Sequence, residues 1–376
     1  MIIRTEQLKE ICAKVMTAVD ESAVGVVTTL LGLNTSGDKL SMSVTNREYF
    51  VEVSTSLGEA VSDMSATVSS KLFLKLISQT TSDTVELFVD DKSLTVIGNG
   101  TYKIPLVYED KDMQSIPRIE INNISTEMKI SGDILNSILH YNTKETQKMV
   151  ASRPVQKMYY VDENGCITFS TGACVNNFSL EKPIKALFSV KLVKLFKLLK
   201  GDEIDFAIGY DEITSDIVQT KVRFACDGIT ITAVLSCDDT LINSVPVAAI
   251  RKRADNAHKN TVVLNKEEVS ETLNRLLIFA NATNGATKYY STLVFENDFV
   301  TVYDSGKKNK EIVYYADEES HVSEKYEAIL DITDIKSILD TCNDSKVTIS
   351  FGDGQAFVLS HNSVKNVVPE VHRNAN

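Results

Sequence analysis

Two hydrophobic periods alternate along the chain. After Thr5, apolar residues Leu8, Ile11, Cys12, Val15 and Met16 recur at three- and four-residue spacing, which predicts an amphipathic helix to about Ala18. Period-two segments follow at 26–33, 39–44 and 49–53, separated by Asn34-Thr35-Ser36-Gly37 and Thr45-Asn46-Arg47. These read as strands joined by turns. A second helix is predicted over 70–79, with Leu72, Phe73, Leu76 and Ile77 inward and Lys71 and Lys75 outward. Strands at 85–89, 93–98 and 102–106 complete the series.

The series then repeats. A strand at 127–130 leads to Ser131 as N-cap and an apolar stripe of Ile134, Leu135, Ile138 and Leu139. Strands at 157–161, 166–170 and 176–180 precede a helix at 189–201, and strands at 203–208, 221–225 and 229–235 follow it. The third pass has a strand at 262–264, Asn265 as cap, a helix carrying Val269, Leu273, Leu276, Leu277 and Phe279, and strands at 292–296, 299–303 and 311–315. Thr333 is read as the cap of a short helix at 335–341, before strands at 346–351, 355–359 and 364–371. Corresponding helices begin near residues 6, 132 and 266, and near 70, 190 and 333, a period of about 130 that is too long for a solenoid. The expected fold class is therefore α+β, with three copies of one domain at 1–120, 121–249 and 250–376. Each copy packs two helices on antiparallel sheets. Arg251-Lys252-Arg253 reads as a solvated linker at the second boundary.

Charge changes the picture at one helix. The chain carries a formal net charge of −12, yet residues 189–200 hold four lysines and no carboxylate. On a helix, Leu192, Val193, Leu195, Phe196, Leu198 and Leu199 fill one side, and Lys191, Lys194, Lys197 and Lys200 the other. Ser189 serves as the expected N-cap and Gly201 as the residue that ends the helix. A cationic face on an acidic body attracts a phosphate backbone without reading bases. Two helices per domain cannot bury their polar faces, so they pack on sheet and look outward together. Three such domains per chain, with two chains closing a circle, would surround a hole lined by those faces.

At this point the sequence resembles the bacterial sliding clamp, the beta subunit of the replicative DNA polymerase. The likeness spans the threefold repeat. It is local in residues 39–53, where Thr45-Asn46-Arg47-Glu48 is similar to the family's Thr-Asp-x-Glu. Leu235-Ser236-Cys237-Asp238-Asp239-Thr240-Leu241 resembles the domain-closing Leu-x-Asp-Gly-x-Phe-Pro. Val367-Val368-Pro369-Glu370 resembles the family's Val-Met-Pro-Met tail, with Glu370 in place of an apolar residue. The resemblance implies a head-to-tail dimeric ring that encircles double-stranded DNA and tethers the replicative polymerase for processivity. By the same resemblance a clamp loader ATPase is a partner and no cofactor is needed, while the cysteine usage leads one to expect a cytoplasmic protein. The DNA-facing cations would be Lys71, Lys75, Lys144, Lys148, Arg153, Lys191, Lys194, Lys197 and Lys200. A pocket for partner peptides would be walled by Val155, Ser170, Gly172, Val175, Val247, Ala249, Val367, Val368 and Pro369. The third domain's helices are net acidic, with Glu267, Glu268 and Glu271 against Lys266 and Arg275, then Asp334 and Asp340 against Lys336.

Other classes find little support. The five histidines show no paired metal-ligand spacing, and no phosphate-loop or nucleophile-elbow motif occurs. The six cysteines lack a C-x-x-C and read as reduced core thiols, with no metal site expected. Asp90-Asp91 and Asp238-Asp239 read as turns. No apolar run reaches the roughly 18 residues of a membrane span. The expected protein is not an enzyme. The alternative reading is an acidic three-domain scaffold that binds proteins and never encircles DNA.

Overall fold

The computed structural model describes residues 1–20, 25–141, 154–169, 172–214, 217–235, 239–281 and 289–371. The chain forms two compact units, one of residues 1–136 and 191–236, the other of residues 137–190 and 237–376.

The first unit is built on an eight-stranded antiparallel sheet. Its strand order is Asn123–Ser131, Glu203–Thr214, Ile217–Cys226, Ile229–Val234, Tyr49–Ser56, Lys39–Thr45, Leu30–Ser36, Met64–Ser69. A row of apolar side chains crosses it: Phe206 opposite Phe224, then Ile231, Val51 and Val44, none more than 2% exposed. Helix α1 (Thr5–Ala18) lies on the face that this row presents, because Tyr49, two residues from Val51, donates its hydroxyl to the Ala18 carbonyl at 2.7 Å. Helix α2 (Ser70–Gln79) packs beside α1. A four-stranded sheet of Ile2–Arg4, Thr84–Val89, Ser93–Ile97 and Thr101–Pro105 completes the unit.

Helix α3 (Gly132–His140) is capped by Ser131, whose Oγ accepts from the Asp133 N–H at 3.2 Å. Helix α4 (Val190–Leu195) continues into a 3₁₀ turn, Phe196–Leu198, so the lysine segment is shorter and tighter than a three-turn α-helix. The turn stops at Leu199 in an extended conformation, and Gly201 is not left-handed. Gly201 instead brings its carbonyl against the start of α3, where a Cβ on Gly132 would lie 2.3 Å from that oxygen. Only glycine fits that approach.

The second unit repeats the plan. Its eight-stranded sheet runs Lys185–Ser189, Met158–Asp162, Gly165–Phe169, Ala173–Asn177, Val364–Val368, Phe357–His361, Lys346–Phe351, Asn260–Asn265. Lys310–Tyr314, Phe299–Tyr303, Tyr290–Phe295 and Tyr326–Asp331 form its four-stranded sheet. Short helices α5 (Asp239–Asn243) and α6 (Val247–Asp255) precede α7 (Lys266–Asn281), which packs beside α8 (Ile332–Thr341). Phe295, Phe351 and Phe357 stack at the centre of this core, with Phe295 and Phe351 at 4.2 Å between ring centroids.

One local device recurs six times among the described residues. The helices α1, α2, α3, α4, α7 and α8 each begin on the residue directly after a strand. The last strand residue is polar at each junction, and at four of them its side chain caps the helix. Ser69 and Ser131 use hydroxyls, Asn265 accepts from the Glu267 and Glu268 N–H groups, and Asp331 accepts from Thr333. Asp331 rather than Thr333 thus caps α8, which starts at Ile332. The three strands that lead into α2, α4 and α8 were not separable in the sequence from the helices they feed. Residues 247–253 also differ from expectation, forming α6 rather than a linker, because Val247, Ile250 and Ala254 supply a helical apolar stripe.

Candidate nucleic-acid and peptide-binding sites

In α4 and its 3₁₀ turn the sequence pattern becomes geometry. Leu192, Val193, Leu195, Phe196, Leu198 and Leu199 are all buried. Phe196 meets Phe224 edge-on at 4.9 Å, which seats α4 on the same sheet face as α1. Lys194, Lys197 and Lys200 are exposed, and among the described residues none of them makes an ion pair. Three ammonium groups at three-residue spacing, on a segment fixed by a buried aromatic contact, give this edge a local positive charge on an acidic chain.

Lys191 behaves differently. Its Nζ lies 3.1 Å from Asp20 Oδ2 and 3.2 Å from Glu48 Oε1. Partial burial opposes its charge, but these two carboxylates outweigh it and hold the ammonium above the usual lysine range. Asp20 also accepts from Asn46 Nδ2 at 3.2 Å. Lys191 therefore fastens the start of α4 to the end of α1 and to the turn at 45–49, and its charge is already matched.

On α2, Lys71 and Lys75 are exposed as expected. Leu72, expected inward, is 57% exposed, and Leu74 takes its place in the core with Phe73 and Ile77. The helix is rotated so that α1 covers Leu74, and Cys12, Met16 and Leu74 share a shallow cleft between the two helices. Lys144, Lys148 and Arg153 lie outside the described residues, as does Ser170.

The second unit holds an open groove of about 790 Å³. Gly172, Ala249, Val367, Val368 and Pro369 line it, five of the residues expected there. Phe169, Pro246, Ile250, Gln355 and Phe357 also contribute. Val155 and Val175 lie beneath, in a buried cluster with Tyr160, Ile167 and Ile250, and Val247 packs on that cluster half-buried. They support the wall and do not form its surface. Gly172 is required here, since a Cβ on it would fall 1.8 Å from the Val367 carbonyl oxygen.

Helix α6 is an anchored side of the groove. Arg251 donates to the buried Asp162 at 2.6 Å, and Lys365 to Asp255 at 2.7 Å. Lys252 and Arg253 stand exposed on the rim. Opposite in charge, Glu370 accepts from the Tyr326 hydroxyl at 3.0 Å, and the Val371 N–H bonds to the Ile329 carbonyl at 2.9 Å, which fixes the segment after Val368. An apolar floor with two cations at its edge suits a short peptide that carries apolar and acidic side chains. The sequence reading missed α6 because three consecutive basic residues hid its apolar spacing.

Comparison with known proteins follows the same lines. Residues 1–117 match the family model for the DNA polymerase III beta subunit, N-terminal domain. Over the whole chain, the Pseudomonas aeruginosa sliding clamp bound to griselimycin aligns with TM-score 0.79 at 13% identity, covering 99% of each chain. The fold is that of a bacterial DNA polymerase sliding clamp. The Bacillus subtilis clamp aligns with TM-score 0.77 at 14% identity, over 99% of this chain and 98% of that one. The Helicobacter pylori beta clamp, solved with a DNA ligase peptide, aligns with TM-score 0.76 at 12% identity over 99% of both chains. No curated protein sequence matches. A sliding-clamp fold kept at such low identity is what a backbone plan of strand–helix junctions permits, since the caps and apolar periods matter more than particular residues.

Proposed function

We propose that this protein is a DNA sliding clamp, a ring that encircles duplex DNA and tethers a replicative polymerase. The observation that carries this reading is the sliding-clamp fold over 99% of the chain together with Lys194, Lys197 and Lys200, exposed and without an ion pair among the described residues. Lys194, Lys197 and Lys200, with Lys71 and Lys75, supply the DNA contact. The groove beside α6 takes the peptide of a polymerase or other partner. No residue set for bond making is part of the reading, so a clamp loader ATPase supplies the energy for loading.

Ring closure takes two chains, head to tail. Each four-stranded sheet leaves an edge strand open to pairing, Thr101–Pro105 in the first unit and Lys310–Tyr314 in the second. Tyr102, Ile312 and Tyr314 stand 43%, 46% and 62% exposed on those edges. Particle mass in solution tests the pairing.

Topology tests the function. Protein loaded on nicked circular DNA is expected to co-migrate with it in high salt and to be lost after linearisation. Equal retention on linear DNA would sink the clamp reading and favour a scaffold.

A further inference from the structure

We propose that Cys342, Asp344 and His361 bind a thiophilic divalent metal ion of the zinc type at the C-terminal end of α8. Their ligand atoms, one sulfur, one carboxylate oxygen and one imidazole nitrogen, lie within 4.8 Å of one another. That donor set is one that zinc takes, with three protein ligands leaving a fourth position for water.

The fold delivers the three side chains from separate elements. Cys342 ends α8, its N–H bonded to the Leu339 carbonyl at 3.0 Å. Asp344 sits two residues on, in the link to strand Lys346–Phe351. His361 closes strand Phe357–His361, next to a tight turn that holds Asn362 at φ 47°. Sequence spacing concealed the set, because Cys-x-Asp followed by a histidine 17 residues later matches no paired-ligand pattern.

A second observation is independent of the clustering. His361 is 4% exposed, and among the described residues neither of its ring nitrogens has a hydrogen-bond partner. Buried imidazole nitrogens are ordinarily satisfied, so a side chain with both unpaired asks for a partner.

Local charge favours a cation on balance. The C-terminal end of α8 carries the negative end of its dipole, and Asp344 adds a carboxylate. On coordination the Cys342 thiol proton passes to solvent and sulfur binds as thiolate, without electron transfer. Two anionic ligands then match the charge of the ion. Lys266 opposes it, but its ammonium is directed at the Cys342 carbonyl, 3.0 Å away. His140 is similarly occupied, with Nε2 2.7 Å from the Thr341 carbonyl oxygen. A bound ion would clip the end of α8 to the rim of the second unit's large sheet.

Cobalt(II) chloride added to the purified full-length protein is the direct probe. The expected result is a sulfur-to-cobalt charge-transfer band that saturates at one ion per chain and is displaced by zinc chloride. The band should vanish in Cys342→Ser and weaken in Asp344→Asn, while Cys226→Ser, at a half-exposed thiol elsewhere, keeps it. Zinc should raise the thermal midpoint of the parent protein more than that of His361→Gln. Absence of the band in the parent protein overturns the proposal, and so does a band that survives Cys342→Ser. Neither outcome bears on DNA encirclement.

Discussion

The lysine segment makes a quantitative prediction about salt. Each cation that displaces a counterion from duplex DNA contributes about 0.9 to the slope of log K against log salt. Replacing Lys194, Lys197 and Lys200 by alanine should lower that slope by up to about 2.7 per chain, if all three reach phosphates. Between 50 and 200 mM salt, that corresponds to roughly a 40-fold smaller loss of affinity on adding salt. The three side chains are exposed and unpaired among the described residues, so their removal leaves the buried face of the segment intact. Lys191→Met is the matched control. Its ammonium is held by Asp20 and Glu48, so it should leave the salt slope unchanged and instead cost about 1 kcal/mol of stability. Fluorescence anisotropy of a labelled duplex over that salt range, with chemical denaturation run in parallel, separates the two effects. A triple variant with the parent slope, or a Lys191→Met slope that drops as the triple variant's should, would refute the assignment.

Three other perturbations follow from particular contacts. Ala249→Trp places an indole from the exposed side of α6 into the groove, and should abolish partner-peptide capture in a pull-down while leaving the thermal midpoint within a few degrees. Lys221 and Asp211 form a nearly buried ion pair, and Lys221 also donates to the Glu120 carbonyl, so Lys221→Met should cost about 3 kcal/mol in urea unfolding by leaving the carboxylate with the Asn122 N–H but no counter-charge. Glu311 is held below the usual glutamate range by the bidentate Arg275 guanidinium. Its depressed folded-state pKa adds stability that is complete above about pH 4.3 and lost as pH falls through the lower folded value. Glu311→Gln should therefore unfold more easily at neutral pH and lose part of the acid sensitivity seen in a midpoint-versus-pH series.

Much of this was legible because it is carried by local pattern. The Leu192–Leu199 stripe, the Asn265 and Ser131 caps and the threefold spacing of helices all depend on near neighbours in sequence, and they appear in the fold. What was hidden depends on partners far away along the chain. Nothing near Lys191 announces Asp20 or Glu48, more than 140 residues earlier, so four lysines looked equivalent where one is spoken for. Leu72 and Leu74 are equally apolar, and only the position of α1 decides which is covered. Arg251 looked like linker because its partner, Asp162, is 89 residues away. Val155 and Val175 have the right character for a groove wall, yet the layer they occupy is set by the register between Ala173–Asn177 and Val364–Val368.

Those registers also constrain how a clamp could open. The eight-stranded sheet of the first unit joins strands from residues 30–69 to strands from residues 123–234 through the antiparallel pairing of Tyr49–Ser56 with Ile229–Val234. In the second unit, Ala173–Asn177 pairs with Val364–Val368 in the same way. The side chains on either side of the first seam, Val51 and Ile231, are fully buried. Parting either seam would break a whole ladder of backbone hydrogen bonds and expose core at once. The two halves of each large sheet are thus held together by the same kind of pairing as the other neighbouring strands within it. The contact proposed with a second chain along Thr101–Pro105 and Lys310–Tyr314 would join two separate chains, so on the proposed function an opening for DNA would fall there.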